Sequence, residues 1–238
     1  MLPSVCMNNI GDAVDAVRAR IQAAAERAGR ASDEIELMAV SKNVGPPLIQ
    51  AAIDAGVRVL GENRVQEARA KIAAVRGSVS WHLIGKLQSN KARLAARLFD
   101  AVHSVDRESL VPKLAAAASD AGRELDVYVQ VEFVRSGLTE NEVHDLARSL
   151  CVGVAKTESL RLVGLMTLPP FEPDPEAARP WFQRLRTLRD ALRADTGLTL
   201  AGLSMGMSND FEVAVEEGAT IVRVGTTLFG ARPAIVND

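Results

Sequence analysis

The chain has 238 residues, a length that suits one large domain or two small ones. Hydrophobic residues make up 47% and charged residues 24% of the chain, which excludes a disordered protein and a collagen-like repeat. The 28 basic and 30 acidic residues give a formal net charge of −2, so the sequence predicts neither a nucleic-acid partner nor binding to an anionic membrane.

The predicted elements begin with an amphipathic helix over residues 9–28, where apolar residues recur at steps of three and four. From there on, short apolar runs alternate with helix-like stretches. The runs predict eight strands, at 35–40, 57–60, 81–84, 99–102, 125–131, 160–165, 198–203 and 221–224. The stretches between and after them predict helices at 46–55, 64–75, 89–98, 107–122, 139–150, 176–196 and 209–217.

Strands that are apolar on both faces and alternate with helices are typical of a parallel sheet covered by helices. Eight such units predict an α/β fold, a single closed (β/α)₈ TIM barrel preceded by an N-terminal helix, with an open doubly wound sheet as the alternative. No linker-like stretch divides the sequence, so we predict one domain over 1–238.

The active site of such a barrel is built at the carboxyl ends of its strands, so we searched there for unusual residues. Lys42 follows the first run; a lysine desolvated at a strand end can form a Schiff base, although a surface lysine would look the same. Asn63 follows the second run as a ligand or a helix cap. His82 lies within the third and is expected to be a hydrogen-bonded core residue. No second histidine has metal-ligand spacing, so no metal is expected.

The loops after the seventh and eighth runs are rich in Gly, Ser and Thr. They comprise a turn predicted over 204–210 and the run Gly225-Thr226-Thr227. Such loops commonly bind phosphate in barrel enzymes, but they also occur as plain turns. Arg223 lies within the eighth strand and needs a partner, either an ion-paired acid or a ligand. A lysine, a phosphate cradle and a partner for a ring nitrogen are the parts of a pyridoxal 5′-phosphate (PLP) site.

The first ten residues carry no basic charge and no apolar run of signal-peptide length, no apolar run elsewhere is long enough to span a membrane, and the two cysteines lack metal-ligand spacing. These features predict a cytoplasmic protein.

Seven motifs occur in the order of a known family. From about residue 10 to Arg232, the chain resembles the PLP homeostasis (PLP-binding) proteins, which have the alanine racemase N-terminal barrel. The motifs are Ala39-Val40-Ser41-Lys42, Gly61-Glu62-Asn63, Trp81-His82-Leu83-Ile84-Gly85, Leu87-Gln88-Ser89-Asn90-Lys91, Gly164-Leu165-Met166, Leu203-Ser204-Met205-Gly206-Met207-Ser208 and Val222-Arg223-Val224-Gly225-Thr226.

The resemblance implies that PLP is held as a Schiff base on Lys42, with Arg223 facing the pyridine nitrogen. It further implies that Ser204, Ser208, Gly225 and Thr226 hold the phosphate and that Asn63, His82 and Met205 to Met207 line the pocket. The implied protein is a cytosolic monomer without established catalysis that supplies and buffers PLP, with PLP-dependent apo-enzymes as its implied partners.

An amino-acid racemase that uses PLP is the alternative function. Alanine racemases have a second, C-terminal β domain and an opposing tyrosine from the partner subunit. This sequence ends shortly after Val224, and its only tyrosine, Tyr128, lies in the fifth predicted strand. Two departures from the family are the short loop at 131–137, which lacks the family's Asn and Lys, and Lys86 where the family has proline.

Overall fold

The computed structural model describes residues 10–134 and 138–230, so the centre of the shortened loop, at 135–137, lies outside the described residues. Eight parallel strands form a closed barrel in chain order, in which β1 pairs with both β2 and β8. This confirms the predicted barrel and excludes the open sheet. The strands are β1 (Glu36–Val40), β2 (Val59–Glu62), β3 (Ser80–Leu83), β4 (Ala101–Val105), β5 (Leu125–Val131), β6 (Leu160–Thr167), β7 (Gly202–Met207) and β8 (Ile221–Val224).

Helices surround the barrel. They are α1 (Ile10–Arg27), α2 (Pro46–Asp54), α3 (Val65–Ala74), α4 (Ala92–Leu98), α5 (Val111–Asp120), α6 (Glu140–Ala155), α7 (Arg179–Thr196), α8 (Phe211–Glu216) and α9 (Thr226–Phe229). Among the described residues, no helix is both long and apolar enough to cross a membrane.

The strands present alternate side chains to two separate cores. Leu37, Ala39 and Val222 belong to a large outer core shared with the helices. The inner core fills the centre of the barrel and comprises Met38, Val59, Tyr128, Met166 and Ile221. Arg223 alternates with Val222 along β8, so its side chain lies on the inner side.

The seventh strand lies further along the chain than the apolar pattern predicts. β7 begins at Gly202 and continues through residues predicted as a turn, because it pairs with β6 and with β8. A Cβ atom at Gly164 would lie 1.8 Å from the carbonyl oxygen of Gly202, so these two strands meet where only glycine fits. The predicted strand over 198–203 and turn over 204–210 are therefore right only in part: residues 198–201 lie outside β7, residues 204–207 belong to it, and residues 208–210 form the turn.

Of the two alternatives for Asn63, a ligand or a cap of α3, the cap is wrong. Arg64, not Asn63, occupies the N-cap position, and its side chain makes no capping hydrogen bond. This leaves Asn63 at the end of β2, where the backbones of the second and third loops meet: a Cβ atom at Gly85 would lie 2.2 Å from the carbonyl oxygen of Asn63. Gly85 thus permits the close approach of the two loops.

Candidate functional site

The residues singled out by the sequence come from adjacent strands on one side of the barrel. Lys42 follows β1, while Arg223, Gly225 and Thr226 lie in or directly after β8, which pairs with β1. Asn63 follows β2, the other neighbour of β1. The closed barrel therefore brings these five residues to the same carboxyl-terminal edge.

Lys42 is half-buried in the turn after β1. Among the described residues, the lysines that form ion pairs are Lys71 and Lys86, not Lys42. The Lys42 amine is thus not committed to a carboxylate and can react with a carbonyl carbon.

A buried network anchors the turn that carries Lys42. The amine of Lys71, on α3, donates to the carbonyl oxygen of Ser41 over 2.6 Å and to Glu62 Oε1 over 2.7 Å. The Ser41 hydroxyl donates to the same Glu62 oxygen over 2.6 Å. Because Ser41 precedes Lys42 directly, this network joins β1, β2 and α3 at the root of the turn.

The other side of the turn is fixed by Glu67. Its Oε1 accepts the backbone N–H of Asn43 over 2.8 Å and a bond from Lys71 over 2.7 Å. Burial favours the neutral acid, but the hydrogen bonds from Lys71 and Asn43 outweigh it and hold the pKa of Glu67 below its ordinary value. Asn43 has a φ of 59°, a left-handed conformation that this contact helps to stabilise.

Arg223 is buried inside the barrel, with only 3% of its surface exposed. Its Nη1 donates to Ser204 Oγ and its Nη2 to the carbonyl oxygen of Thr167, each over 2.8 Å. Burial lowers the pKa of Arg223 to about 10, against the opposing effect of Asp210, so the guanidinium stays charged at neutral pH. Among the described residues, its partners are a hydroxyl and a carbonyl, not the carboxylate of an ion pair.

Two histidines lie beneath Arg223. His103 Nδ1 is 2.9 Å from Ser204 Oγ, and His103 Nε2 is 2.9 Å from His82 Nδ1. The His103 ring stacks on Tyr128 with centroids 4.1 Å apart. Burial lowers the pKa of His82 to about 4 and that of His103 well below its ordinary value, so both rings are neutral at neutral pH. His82 is thus hydrogen-bonded within the barrel, as its position in a strand predicts.

The serines and glycine of the last two loops divide into two groups. Ser204 is fully buried against Arg223 and His103, whereas the Ser208 hydroxyl accepts the N–H of Gly225 over 3.0 Å at the edge of the barrel. Thr226 is exposed beside Gly225. The structure therefore brings Ser208, Gly225 and Thr226 together and places Ser204 deeper in the barrel.

Met205 is not brought to this group. Its side chain is fully buried in the outer core, because it alternates with Ser204 along β7 and so points towards the helices. Met205 was predicted to line the pocket, and only its main chain is placed to do so.

The sequence reasoning did not single out Lys71, Thr167 or His103 as site residues. His103 interrupts the apolar run of β4, but the predicted strand ended at residue 102 and so left that signal unused. Lys71 lies in a helical stretch, where a buried lysine cannot be told from a surface one. Thr167 contributes its backbone carbonyl oxygen, which no sequence pattern indicates.

The site has the donors that a phosphorylated pyridine aldehyde requires. A buried cation lies on β8 and an amine follows β1, while a serine, a glycine and a threonine lie together at the edge. Arg223 uses two of its five N–H groups on the described residues, so others can serve a ring nitrogen. Within 10–134 and 138–230, no group of three or more His, Cys, Asp or Glu side chains could hold a metal ion.

Comparison with known proteins identifies the family. Residues 13–233 match the sequence profile described as "Alanine racemase, N-terminal domain". A pyridoxal phosphate homeostasis protein of Aquifex aeolicus (strain VF5) is 40% identical over 229 residues, covering 94% of this chain and 99% of that protein. The chain therefore belongs to the alanine racemase N-terminal domain family and, within it, to the pyridoxal phosphate homeostasis proteins.

Solved structures show the same fold. PipY of Synechococcus elongatus PCC7942, determined with PLP bound, is 36% identical with a TM-score of 0.81, over 93% of this chain and 100% of that one. An alanine racemase of Clostridium difficile 630 in complex with cycloserine has a TM-score of 0.72 at 15% identity, over 96% of this chain and 57% of that one. At that identity the likeness to the racemase concerns the fold alone.

Proposed function

We propose that this chain binds PLP reversibly, holds it on Lys42 and maintains a store of the cofactor without acting as a catalyst. The names of its relatives and the PLP bound to PipY support the proposal. The observation that carries it is the placement of Lys42 just after β1 and of Arg223 within β8, two strands that pair. An amine and a buried cation on adjacent strands can engage two parts of one small aromatic ligand.

Bound PLP supplies an aldehyde, which condenses with an amine by loss of water, and a pyridine ring that withdraws electrons. The Lys42 amine is the group that bonds to the aldehyde carbon. Asn63, at the end of β2, forms the wall of the pocket beside Lys42.

The phosphate is held by Ser208, Gly225 and Thr226. Hydroxyl donors at a glycine-containing turn suit a phosphate, because the backbone can approach closely. Ser204 supports Arg223 instead, since its hydroxyl already accepts a bond from that guanidinium. We therefore propose that Ser204 serves the ring-nitrogen side of the pocket rather than the phosphate.

Arg223 keeps its proton and donates a hydrogen bond to the pyridine nitrogen. With a pKa of about 10, the guanidinium does not pass a proton to the ring, so the nitrogen stays unprotonated. An unprotonated ring is a weaker electron sink, which suits storage of the cofactor better than carbanion chemistry.

A racemase would need a second base opposite Lys42. The only tyrosine of the chain, Tyr128, lies in the inner core stacked on His103, and burial raises its pKa to about 12. Tyr128 therefore cannot act as an opposing base, and this observation favours storage over racemisation.

The test is a titration of the purified protein with PLP, followed by absorbance, with Lys42→Ala as the matched variant. We expect a new visible band for the wild type and none for Lys42→Ala. The loaded protein is then incubated with L-alanine and assayed for D-alanine. Turnover near the roughly 10 s⁻¹ typical of enzymes, lost in Lys42→Ala, would show a racemase instead.

The remaining parts of the proposal are that the chain is one domain over 1–238, a cytoplasmic monomer, and a source of PLP for apo-enzymes. They rest on the family resemblance and on the length of the shared match.

A further inference from the structure

A continuous chain of hydrogen bonds begins at Arg223 and runs down through the interior of the barrel. Arg223 Nη1 lies 2.8 Å from Ser204 Oγ, which lies 2.9 Å from His103 Nδ1. All three residues are buried, and they come from three different strands, β8, β7 and β4. The upper half of this row of hydrogen bonds thus crosses the barrel beneath the proposed pocket.

The lower half continues to the opposite, amino-terminal end of the barrel. His103 Nε2 lies 2.9 Å from His82 Nδ1, and His82 Nε2 lies 3.0 Å from Ser80 Oγ. Ser80 Oγ is in turn 3.4 Å from Oδ2 of Asp100, whose side chain is 45% exposed. A cation and an anion therefore terminate one unbroken row of hydrogen-bonding groups.

The charges at the two ends give the row a single direction. A guanidinium only donates and a carboxylate only accepts. The Ser204 oxygen accepts from Arg223, so its proton is directed to His103 Nδ1, and neutral His103 then carries its proton on Nε2. His82 Nδ1 accepts a hydrogen bond from the His103 Nε2–H group, and neutral His82 carries its own proton on Nε2, towards Ser80. The reverse direction would leave the Ser80 and Asp100 oxygens facing each other without a proton.

The consequence for Arg223 is a fixed orientation. Ser204 holds one terminal nitrogen and the Thr167 carbonyl holds the other, so the plane of the guanidinium is defined. The Ser204 oxygen accepts from Arg223 through a lone pair, while the Ser204 proton is directed to His103.

We propose that His103 and His82 are positioning residues: held in the Nε2–H tautomer by this row, they orient Ser204 and Arg223 so that the guanidinium donates to the ring nitrogen of PLP. The proposal rests on the proposed function and assigns the determinant of its ring-nitrogen recognition. Neither histidine touches the ligand in this role.

The first measurement uses protein without ligand. The chain has three histidines, so ¹⁵N spectra of the side chains are simple, and His144 on α6 serves as the internal reference. We expect His82 and His103 to be neutral at pH 7 with the proton on Nε2, and a ¹⁵N–¹⁵N coupling between the two rings. A proton on Nδ1 of either ring, or two protons on one ring, would overturn the proposal.

The second measurement compares PLP with its 1-deaza analogue, in which C–H replaces the ring nitrogen. We expect the wild type to prefer PLP, and His103→Leu to lower that preference at least about tenfold, the effect of one hydrogen bond to a charged group. His103→Gln, which can still accept from Ser204 and donate to His82, should retain most of the preference.

Equal loss of affinity for both ligands in His103→Leu would contradict a positioning role, because a merely structural defect does not depend on the ring nitrogen. If the wild type fails to bind PLP, the proposed function is wrong. That failure is distinct from failure of this inference, because the nitrogen spectra are recorded without ligand.

Discussion

Arg223 and the two histidines below it are polar groups in the centre of a barrel whose inner core is formed by methionine, valine, isoleucine and tyrosine. Buried polar groups are tolerated when each has a hydrogen-bond partner, and here the side chains of different strands supply the partners. These residues therefore contribute to the stability of the fold as well as to the pocket. Their protonation is coupled to that stability.

The pH dependence of stability follows from His82. An ordinary histidine titrates near pH 6.5, whereas burial lowers the pKa of His82 to about 4. Between these values the unfolded chain binds a proton that the folded chain does not. The free energy of unfolding of the ligand-free protein should therefore fall as the pH drops from about 6.5 to about 4, by up to about 1.4 kcal/mol per pH unit for this residue.

Urea unfolding over a pH series measures this slope. His82→Gln should make the slope shallower than that of the wild type. His103, whose pKa is also lowered by burial, contributes in the same direction and keeps some slope in the His82 variant. An unchanged slope in His82→Gln would contradict the assignment of a buried neutral histidine.

At the scale of elements, hydrophobic periodicity is sufficient to locate the barrel and most of its helices. The run at 125–131 coincides with β5 and the run at 221–224 with β8, because most residues of both strands are apolar, with Asp126, Gln130 and Arg223 as the exceptions. β7 could not be located in this way, since the small residues Gly202, Ser204 and Gly206 alternate with its apolar ones and the strand is held by pairing with β6 and β8.

The candidate site was predictable to a similar extent. Lys42 and Arg223 stand out in sequence because each is a charged residue within or directly after a buried strand. Lys71 and the partners of Arg223 do not, because a contact between residues distant in the chain depends on the closed geometry of the barrel. Ser204 illustrates the limit: its loop was recognised, but its depth in the barrel was not.

The contact that joins β1, β2 and α3 gives a prediction at this scale. Lys71→Met should lower the free energy of unfolding by about 3–5 kcal/mol, because it leaves the buried carboxylate of Glu62 without its cation. Urea unfolding measures the loss, and Lys113→Met at an exposed position of α5 is the control.

Replacing both partners, as in Lys71→Met with Glu62→Leu, should recover part of the stability, since no unpaired charge then remains. Ordinary surface substitutions change the free energy of unfolding by no more than about 0.5 kcal/mol. If the free energy of unfolding of Lys71→Met lies within that range of the Lys113→Met control, the buried ion pair does not stabilise the turn of Lys42.

On the scale of the whole molecule, closure of the barrel gives the chain its site. Lys42 and Arg223 are far apart in sequence, yet β1 and β8 are neighbours only because the first and last strands pair. The same closure places Ser208 and Gly225 at the edge beside them. The account therefore predicts that one lysine, at that edge, carries the cofactor.

Borohydride reduction of the PLP-loaded protein, followed by peptide mapping, tests this most directly. Reduction makes the bond between the lysine nitrogen and the cofactor carbon permanent, so the labelled peptide identifies the residue. We expect the label on Lys42 in the wild type and no labelled peptide from Lys42→Ala at the same PLP concentration. Label on Lys71, Lys86 or Lys91, with Lys42 unmodified, would contradict the account.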